Sequence, residues 1–114
     1  MSAGCLQLPD GSALAVDEKG YLLDWQAWTP QAAETMARAD GLELGPDHWA
    51  VIDIFRDYFE RFEIEPPMRA LVVQVRERLG DKKANSRFLY RLFPDGPGTQ
   101  GCRYSGLPRP LSCV

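Results

Sequence analysis

The stretch PDHWAVIDIFRDYFERFEIE, residues 46–65, decides the fold of this chain. Its large apolar side chains recur every three or four positions, which places them on one face of an α-helix. Pro46 suits the first helical position, where its missing N–H costs nothing, and Asp47 complements the positive end of the helix dipole. The pair Pro66-Pro67 must end the helix. We expect its apolar face to pack in the core through Trp49, Ile52, Phe55, Phe59 and Phe62, widened by Val51 and Tyr58.

Two further helices are predicted beside this one. Thr29 followed by Pro30 is typical of a helix start, because the threonine hydroxyl accepts an orphan N–H and proline fits the next position. That helix should run to about Ala39. A third helix should follow the double proline and end at Gly80. Its inward face is predicted to be Met68, Leu71, Val72, Val75 and Leu79.

The two ends of the chain complete the fold class. Asn85-Ser86 predicts the start of a fourth helix, and a short fifth helix at 98–104 would contain Cys102. Apolar segments at 6–8, 13–16 and 21–23, separated by turns, predict a hairpin or a three-stranded meander. The chain is therefore expected to be one mainly α domain of 114 residues: a β-hairpin region at 1–24, a small helical bundle at 29–105, and a mobile C-terminal arm at 106–114.

Composition narrows the functional classes. No apolar run is long enough to span a bilayer, and the first residues lack the features of a signal peptide, so we expect a cytoplasmic protein without membrane contact. Three cysteines without a CxxC pair do not form a disulfide framework, and an odd count leaves at least one thiol over. No cofactor or metal is expected. Thiol chemistry is the feature to explain.

Charge is divided unevenly along the chain. Residues 1–65 hold 4 Lys/Arg and 13 Asp/Glu, a net charge of -9, whereas residues 66–114 hold 9 and 3, a net charge of +6. A basic C-terminal part indicates an anionic partner, either an acidic protein surface or a nucleic acid. Solvated helix faces that balance an acidic neighbour explain the same split.

The C-terminal arm carries the most distinctive chemistry. Cys113 is the penultimate residue and lies 7 steps after Gly106, so its thiol should reach about 23 Å. A thiolate on such an arm can attack the terminal sulfur of a persulfide and carry that sulfur to an acceptor. Arg109 favours the thiolate electrostatically, whereas the carboxylate of Val114 opposes it. An incidental exposed thiol is the alternative.

The other two cysteines receive different predictions. Cys102 precedes Cys113 by 11 positions, and the intervening glycine and prolines allow the two sulfurs to meet in a reversible disulfide. Cys102 is otherwise a small apolar residue of a helix. Cys5 has no evident partner and no predicted role.

Four segments carry a resemblance to a known family: ELxxxHW at 43–49, PPMRALV at 66–72, NSRFLYRLFPDGP at 85–97 and GCRYSGLPRPLSCV at 101–114. Together they resemble the DsrC/TusE family of sulfur carriers, whose tails read roughly CxxxGLPKPxxCV. Arg109 stands in place of the usual lysine, and Leu111-Ser112 in place of Thr-Gly. Neither difference removes a reactive group.

The resemblance implies a helical fold with a helix-turn-helix-like element, and a persulfide on Cys113. One branch of the family relays sulfur to the 2-thiouridine of tRNA through a donor complex and a tRNA-thiolating enzyme. The other branch serves dissimilatory sulfite reductase, and two thiols take part in it. The presence of Cys102 beside Cys113 resembles that branch. We expect the tRNA branch, a chain that is monomeric when free, and partner contacts at Arg103 and Arg109.

Three alternatives to this prediction involve other residues. The third and fourth helices could form a DNA-binding helix-turn-helix, although base-reading side chains are not obvious and direct nucleic-acid binding is not expected. Its cations would be Arg76, Arg78, Lys82, Lys83, Arg87 and Arg91. A zinc site from Cys5, His48, Cys102 and Cys113 lacks a recognised ligand spacing. His48 itself is expected to pack or to cap a helix rather than to act as a base.

Overall fold

A computed structural model describes residues 4–109, and within them the chain is mainly α-helical with an N-terminal β-hairpin, as predicted. Short 3₁₀ turns at Trp25–Ala27 and Asp81–Lys83 and a π-helical turn at Pro97–Gly101 connect the longer elements. The strands and helices are β1 (Gly4–Gln7), β2 (Ala13–Val16), α1 (Pro30–Ala39), α2 (Pro46–Phe62), α3 (Met68–Leu79), α4 (Ser86–Leu92) and α5 (Cys102–Tyr104). None of these helices is long and apolar enough to cross a membrane.

The predicted helix starts are confirmed by their caps. The Thr29 hydroxyl accepts the Ala32 N–H at 3.3 Å, and the Asn85 side chain accepts the Phe88 N–H at 2.8 Å. Each side-chain oxygen satisfies one of the backbone donors that a helix leaves unpaired at its start. Because a cap acts within three residues, the local sequence was enough to predict where these helices begin.

The N-terminal region is a hairpin and not a three-stranded meander. Strands β1 and β2 pair antiparallel from Gly4 opposite Val16 to Gln7 opposite Ala13. The segment at 21–23 adds a single bridge, between Leu22 and Val16. The side chains of Tyr21 and Leu22 are buried in the core.

The core is one cluster of buried side chains, in which α2 packs on α3 and α5, and α1 packs on α5 and β1. On α2 the buried residues are Val51, Ile52, Ile54 and Phe55, and on α3 they are Leu71 and Val75. Two predicted core residues are wrong: Phe62 is 53% exposed and Met68 is 38% exposed. Phe62 is the last residue of α2 and Met68 is the first residue of α3. Both belong to the apolar face of their helix, but neighbouring elements do not cover these helix ends, so the two side chains stay exposed. Phe62 instead lies against the Tyr58 ring, with centroids 4.5 Å apart.

Helices α3 and α4, with the turn between them, form the predicted helix-turn-helix-like element. Three of its cations already hold carboxylates of this chain: Arg76 binds Asp81, Arg78 binds Asp57 and Lys83 binds Asp47. The pairs of Arg78 and Lys83 join the basic part of the chain to the acidic part, which was the alternative explanation of the charge split.

Candidate site around the base of the C-terminal arm

The predicted arm begins as a fixed segment. Cys113 lies outside the described residues, and of 106–114 only 106–109 are described. Leu107 is fully buried in the core, and Gly106 packs so closely on Trp28 that a Cβ there would lie 2.3 Å from the ring. The mobility predicted for 106–114 therefore does not apply to its first residues. For 110–114 it stays a prediction.

The end of α5 explains why the base of the arm is fixed. The Gly106 N–H bonds to the Arg103 carbonyl at 3.1 Å, and the Leu107 N–H bonds to the Cys102 carbonyl at 3.2 Å. With Gly106 at a φ of 75°, this is the Schellman motif, in which a left-handed glycine ends a helix. The motif satisfies the first two carbonyls of α5. It leaves the carbonyls of Tyr104 and Ser105 without a helical partner.

Two side chains from distant parts of the sequence bind those remaining carbonyls. Trp28 Nε1 donates to the Tyr104 carbonyl at 2.8 Å, and Arg56 Nη1 donates to the Ser105 carbonyl at 2.8 Å. The Arg56 guanidinium also lies 4.3 Å from the centroid of the Trp28 ring and donates to the Trp25 carbonyl at 3.2 Å. Burial lowers the pKa of Arg56, yet arginine stays protonated at neutral pH. We call Trp28 and Arg56 the arm clamp.

Cys102 lies directly beneath the arm. Its side chain is fully buried, and its Sγ is 3.5 Å from the Pro108 carbonyl, to which the thiol donates. Cys102 therefore packs as a small apolar residue of a short helix, as the alternative prediction for it stated. The same contact places the second predicted thiol next to the segment that leads to Cys113.

Arg103, a predicted partner-binding residue, faces inward to its own chain. It binds the carboxylate of Asp40, which also accepts a 2.6 Å hydrogen bond from the Tyr104 hydroxyl. Burial disfavours the charged carboxylate, but the bonds from Tyr104 and Arg103 and the Arg103 charge outweigh it, so the pKa of Asp40 lies below its ordinary value. Burial and the same carboxylate raise the pKa of Tyr104. Arg103 thus ties α5 to the end of α1.

Arg109, the other predicted partner-binding residue, anchors the arm to the hairpin region. Its guanidinium binds Asp17 at 3.1 Å and lies 4.0 Å from Glu18. Burial raises the pKa of Asp17, but backbone N–H groups of Tyr21 and Lys19 together with Arg109 shift the pKa below its ordinary value. The Arg109 side chain is still 42% exposed, so it remains accessible to another molecule.

A small apolar cleft opens beside the arm. It measures about 140 Å³ and is bounded by the end of α2, the connection to α3, and the arm residues Leu107, Pro108 and Arg109. Ile64 on this connection is 43% exposed. Any partner that receives the arm must come close to this surface.

The remaining candidates have structural roles or none. His48 caps α2, because its Nδ1 accepts the Gly45 N–H at 3.0 Å and its Nε2 lies 2.9 Å from the Leu92 carbonyl, which confirms the packing or capping role. With both ring nitrogens used, His48 is not a zinc ligand. Across 4–109 no three His, Cys, Asp or Glu side chains are grouped for a metal. Cys5 lies exposed on β1.

Sequence reasoning missed the arm clamp and Asp40. The hydrogen bonds of Trp28 and Arg56 span 76 and 49 residues, so no short motif contains both partners. One local signal was present: the sequence Ser-Gly-Leu after a short helix is typical of a Schellman motif, with glycine followed by an apolar residue. That signal predicts a helix stop at Gly106, but not the contacts that hold the segment after it.

The chain belongs to the family of DsrC like proteins, whose family model matches residues 9–114. Among curated relatives, the sulfurtransferase TusE of Pectobacterium atrosepticum is 38% identical over 105 residues, which cover 92% of this chain and 96% of the relative.

Solved structures share the fold. The NMR structure of Allochromatium vinosum DsrC has a TM-score of 0.88 and 46% identity, covering 98% of this chain and 99% of that one. The oxidized gamma-subunit of the dissimilatory sulfite reductase, DsrC, from Archaeoglobus fulgidus has a TM-score of 0.86 and 36% identity, covering 97% and 100%. The resemblance of the four sequence segments to the DsrC/TusE family is confirmed.

Proposed function

We propose that this protein is a sulfur carrier that holds sulfur as a persulfide on Cys113. The family match carries the proposal, since it extends through the C-terminal residue and includes relatives named sulfurtransferase. In the loading step the Cys113 thiolate attacks the outer sulfur of a donor persulfide. A new S–S bond forms, the donor S–S bond breaks, and the donor leaves as a thiolate. The loaded sulfur then passes to an acceptor thiol or enzyme in the same way.

The fixed arm base supports this proposal and shortens the distance that Cys113 can reach. Arg109 is held by Asp17 and is 4 residues before Cys113, so the reach beyond the last described residue is about 13 Å. That is shorter than the 23 Å expected for an arm that is free from Gly106. A shorter arm searches a smaller volume, which raises the local concentration of the thiol at a docked partner.

For the acceptor, we propose a tRNA-thiolating enzyme supplied through a sulfur-donor complex, in the cytoplasm and with a monomeric carrier. The support is the family resemblance and the relatives named TusE. On this proposal Arg103 positions α5 and Arg109 meets the partner. The chain acts with partner enzymes and need not bind nucleic acid directly.

A second candidate is the sulfur-carrying partner of dissimilatory sulfite reductase. Two observations favour it: the 46% identity to Allochromatium vinosum DsrC, and the position of Cys102 beside the arm. Here the Cys102 thiolate would attack the inner sulfur of the Cys113 persulfide, so that the Cys102–Cys113 disulfide forms, the persulfide S–S bond breaks and the outer sulfur leaves as hydrosulfide. In the tRNA branch Cys113 alone would suffice.

Two measurements test these proposals. Incubation with a cysteine desulfurase and cysteine should add about 32 Da per sulfur to the intact protein, and Cys113→Ser should not gain it. Equal loading of both proteins would overturn the role of Cys113. The Cys102→Ala variant then separates the branches, because it should load and deliver sulfur in the tRNA branch but load and fail to release sulfur in the other.

A further inference from the structure

Helix α4 and the turn before it carry cations that the described part of the chain does not neutralise. Lys82, Arg87 and Arg91 are exposed, and among residues 4–109 no carboxylate lies within ion-pair distance of them. Arg87 and Arg91 are one helical turn apart, and like charges at this spacing weaken a helix. An anion from another molecule would remove that repulsion.

The three cations line one open groove. It measures about 530 Å³, and its described lining contains no carboxylate: Lys82, Asn85, Ser86, Arg87, Phe88 and Arg91. Tyr90 is 50% exposed and lies on the same side of α4 as the two arginines. Arginine and tyrosine are among the residues that most often carry the binding energy of protein interfaces. The groove therefore combines an uncompensated positive charge with an aromatic side chain of the kind that protein partners bind.

The spacing of the arginines indicates the form of the anion. Arg87 and Arg91 are separated by one turn of α4, about 6 Å along the helix axis. A guanidinium binds a carboxylate through two parallel N–H···O bonds. Glutamates four positions apart on a partner helix repeat at the same distance, so each could meet one arginine.

A nucleic acid fits the groove less well. The amide of Asn85 is used within the chain, because its Oδ1 accepts the Phe88 N–H at 2.8 Å and its Nδ2 donates to the Lys82 carbonyl at 3.1 Å. It is therefore not free to bind a base edge. A long polyanion would also extend past the groove and be repelled by residues 1–65, whose net charge is -9. A short acidic segment of a protein avoids that repulsion.

We propose that Lys82, Arg87 and Arg91, with Tyr90, form a docking surface for a partner protein that presents an acidic helix. Carboxylates one turn apart on that helix bind the two arginines, and Lys82 adds to the field that attracts them. The contact is electrostatic and exposed, so salt weakens it. It involves no sulfur, and its test is independent of the role of Cys113.

The test is a titration of the isotope-labelled full chain, followed by two-dimensional amide NMR. The probe is a helix-constrained peptide with glutamates four positions apart, and the control peptide has glutamines in their place. We expect the glutamate peptide to shift the amide signals of residues 82–91, and we expect the shifts to disappear in about 0.5 M salt. The glutamine peptide should shift none of them.

Matched variants locate the contact. The double variant Arg87→Gln, Arg91→Gln should bind the glutamate peptide about tenfold more weakly, as expected for the loss of two exposed ion pairs. The control is Arg61→Gln, Arg69→Gln, which changes the net charge equally. Both of these arginines are exposed and neither lines the groove, so this variant should bind as the parent does.

Several outcomes would overturn the proposal: no shifts with the glutamate peptide, shifts confined to other residues, or unchanged affinity in the groove variant. Single-stranded RNA and duplex DNA of the same total charge are titrated in parallel. If either binds the same residues more tightly than the peptide does, the surface is a nucleic-acid site and the proposal of a protein partner is wrong. If the groove variant does not fold, the salt dependence and the glutamine peptide decide.

Discussion

Helices α1 and α5 end in the same backbone motif but in different surroundings. Gly41 and Gly106 both have a φ of 75°, and each is followed by a leucine whose N–H bonds five residues back, at 2.8 Å for Leu42 and 3.2 Å for Leu107. A Cβ added at Gly41 would meet nothing within 4 Å, whereas at Gly106 it would strike Trp28. The local motif is therefore enough to end a helix. Only tertiary contacts fix the direction in which the chain leaves that helix end.

The largest expected effect comes from alanine at the two glycines. Gly41→Ala should cost about 1–2 kcal/mol, because a Cβ is strained in the left-handed conformation. Gly106→Ala carries the same strain and adds overpacking against Trp28, which costs a further 1–3 kcal/mol or so. Urea unfolding of the two variants measures the difference. Equal losses would show that the burial of Gly106 contributes nothing.

A second test concerns the carboxylate that joins the two helix ends. Asp40 follows α1 and binds both Arg103 and Tyr104, and its folded pKa lies below its ordinary value of 3.8. The stability that this carboxylate adds is fully present above the unfolded pKa and is lost as the pH falls through the folded pKa. Asp40→Asn should therefore be less stable than the parent at pH 7, with a difference that shrinks below about pH 4.

Thermal unfolding between pH 7 and pH 2.5 measures this difference. Tyr104→Phe is the partial control: it removes one of the donors to Asp40, so some of the pH dependence should remain. A difference between parent and Asp40→Asn that is constant with pH would contradict the role of the charge.

The smallest expected effect is at Arg109. Its ion pair joins the segment after α5 to the hairpin region, and the segment after α1 is not part of that contact. Its ion pair with Asp17 is partly exposed, so Arg109→Gln should cost less than about 1 kcal/mol, and the loss should disappear in 1 M salt. Arg78→Gln, which breaks the comparable pair with Asp57, is the matched control for a general effect of charge. A salt-independent loss of several kcal/mol would mean that Arg109 holds the arm by packing instead.

The same comparison shows what the sequence can and cannot predict. The starts at Thr29 and Asn85 and the stops near Ala39 and before Gly80 depend on groups within a few residues, so they were predicted correctly. The exposure of Phe62 and Met68 depends on where neighbouring helices stop covering α2 and α3, which periodicity does not contain. The candidate thiols follow from family motifs and from their places near the C-terminus.

The arm base could not be predicted in this way. Gly106 is recognisable as a helix stop, but the partners that hold it come from the segment before α1 and from the middle of α2. The prolines in the tail favour an extended, mobile chain from Gly106 onward. Burial of Leu107 and the bonds to the Tyr104 and Ser105 carbonyls override that local preference.

The central claim, that Cys113 holds the sulfur, has a direct measurement. Trypsin cleaves after Arg103 but not between Arg109 and Pro110, so Cys102 and Cys113 fall in different peptides, the second of which is 104–114. The protein is loaded by a desulfurase, its persulfide is alkylated, and the digest is weighed. We predict the additional sulfur, about 32 Da, on peptide 104–114. Sulfur found only on the peptide that contains Cys102, or on the one that contains Cys5, would contradict the claim.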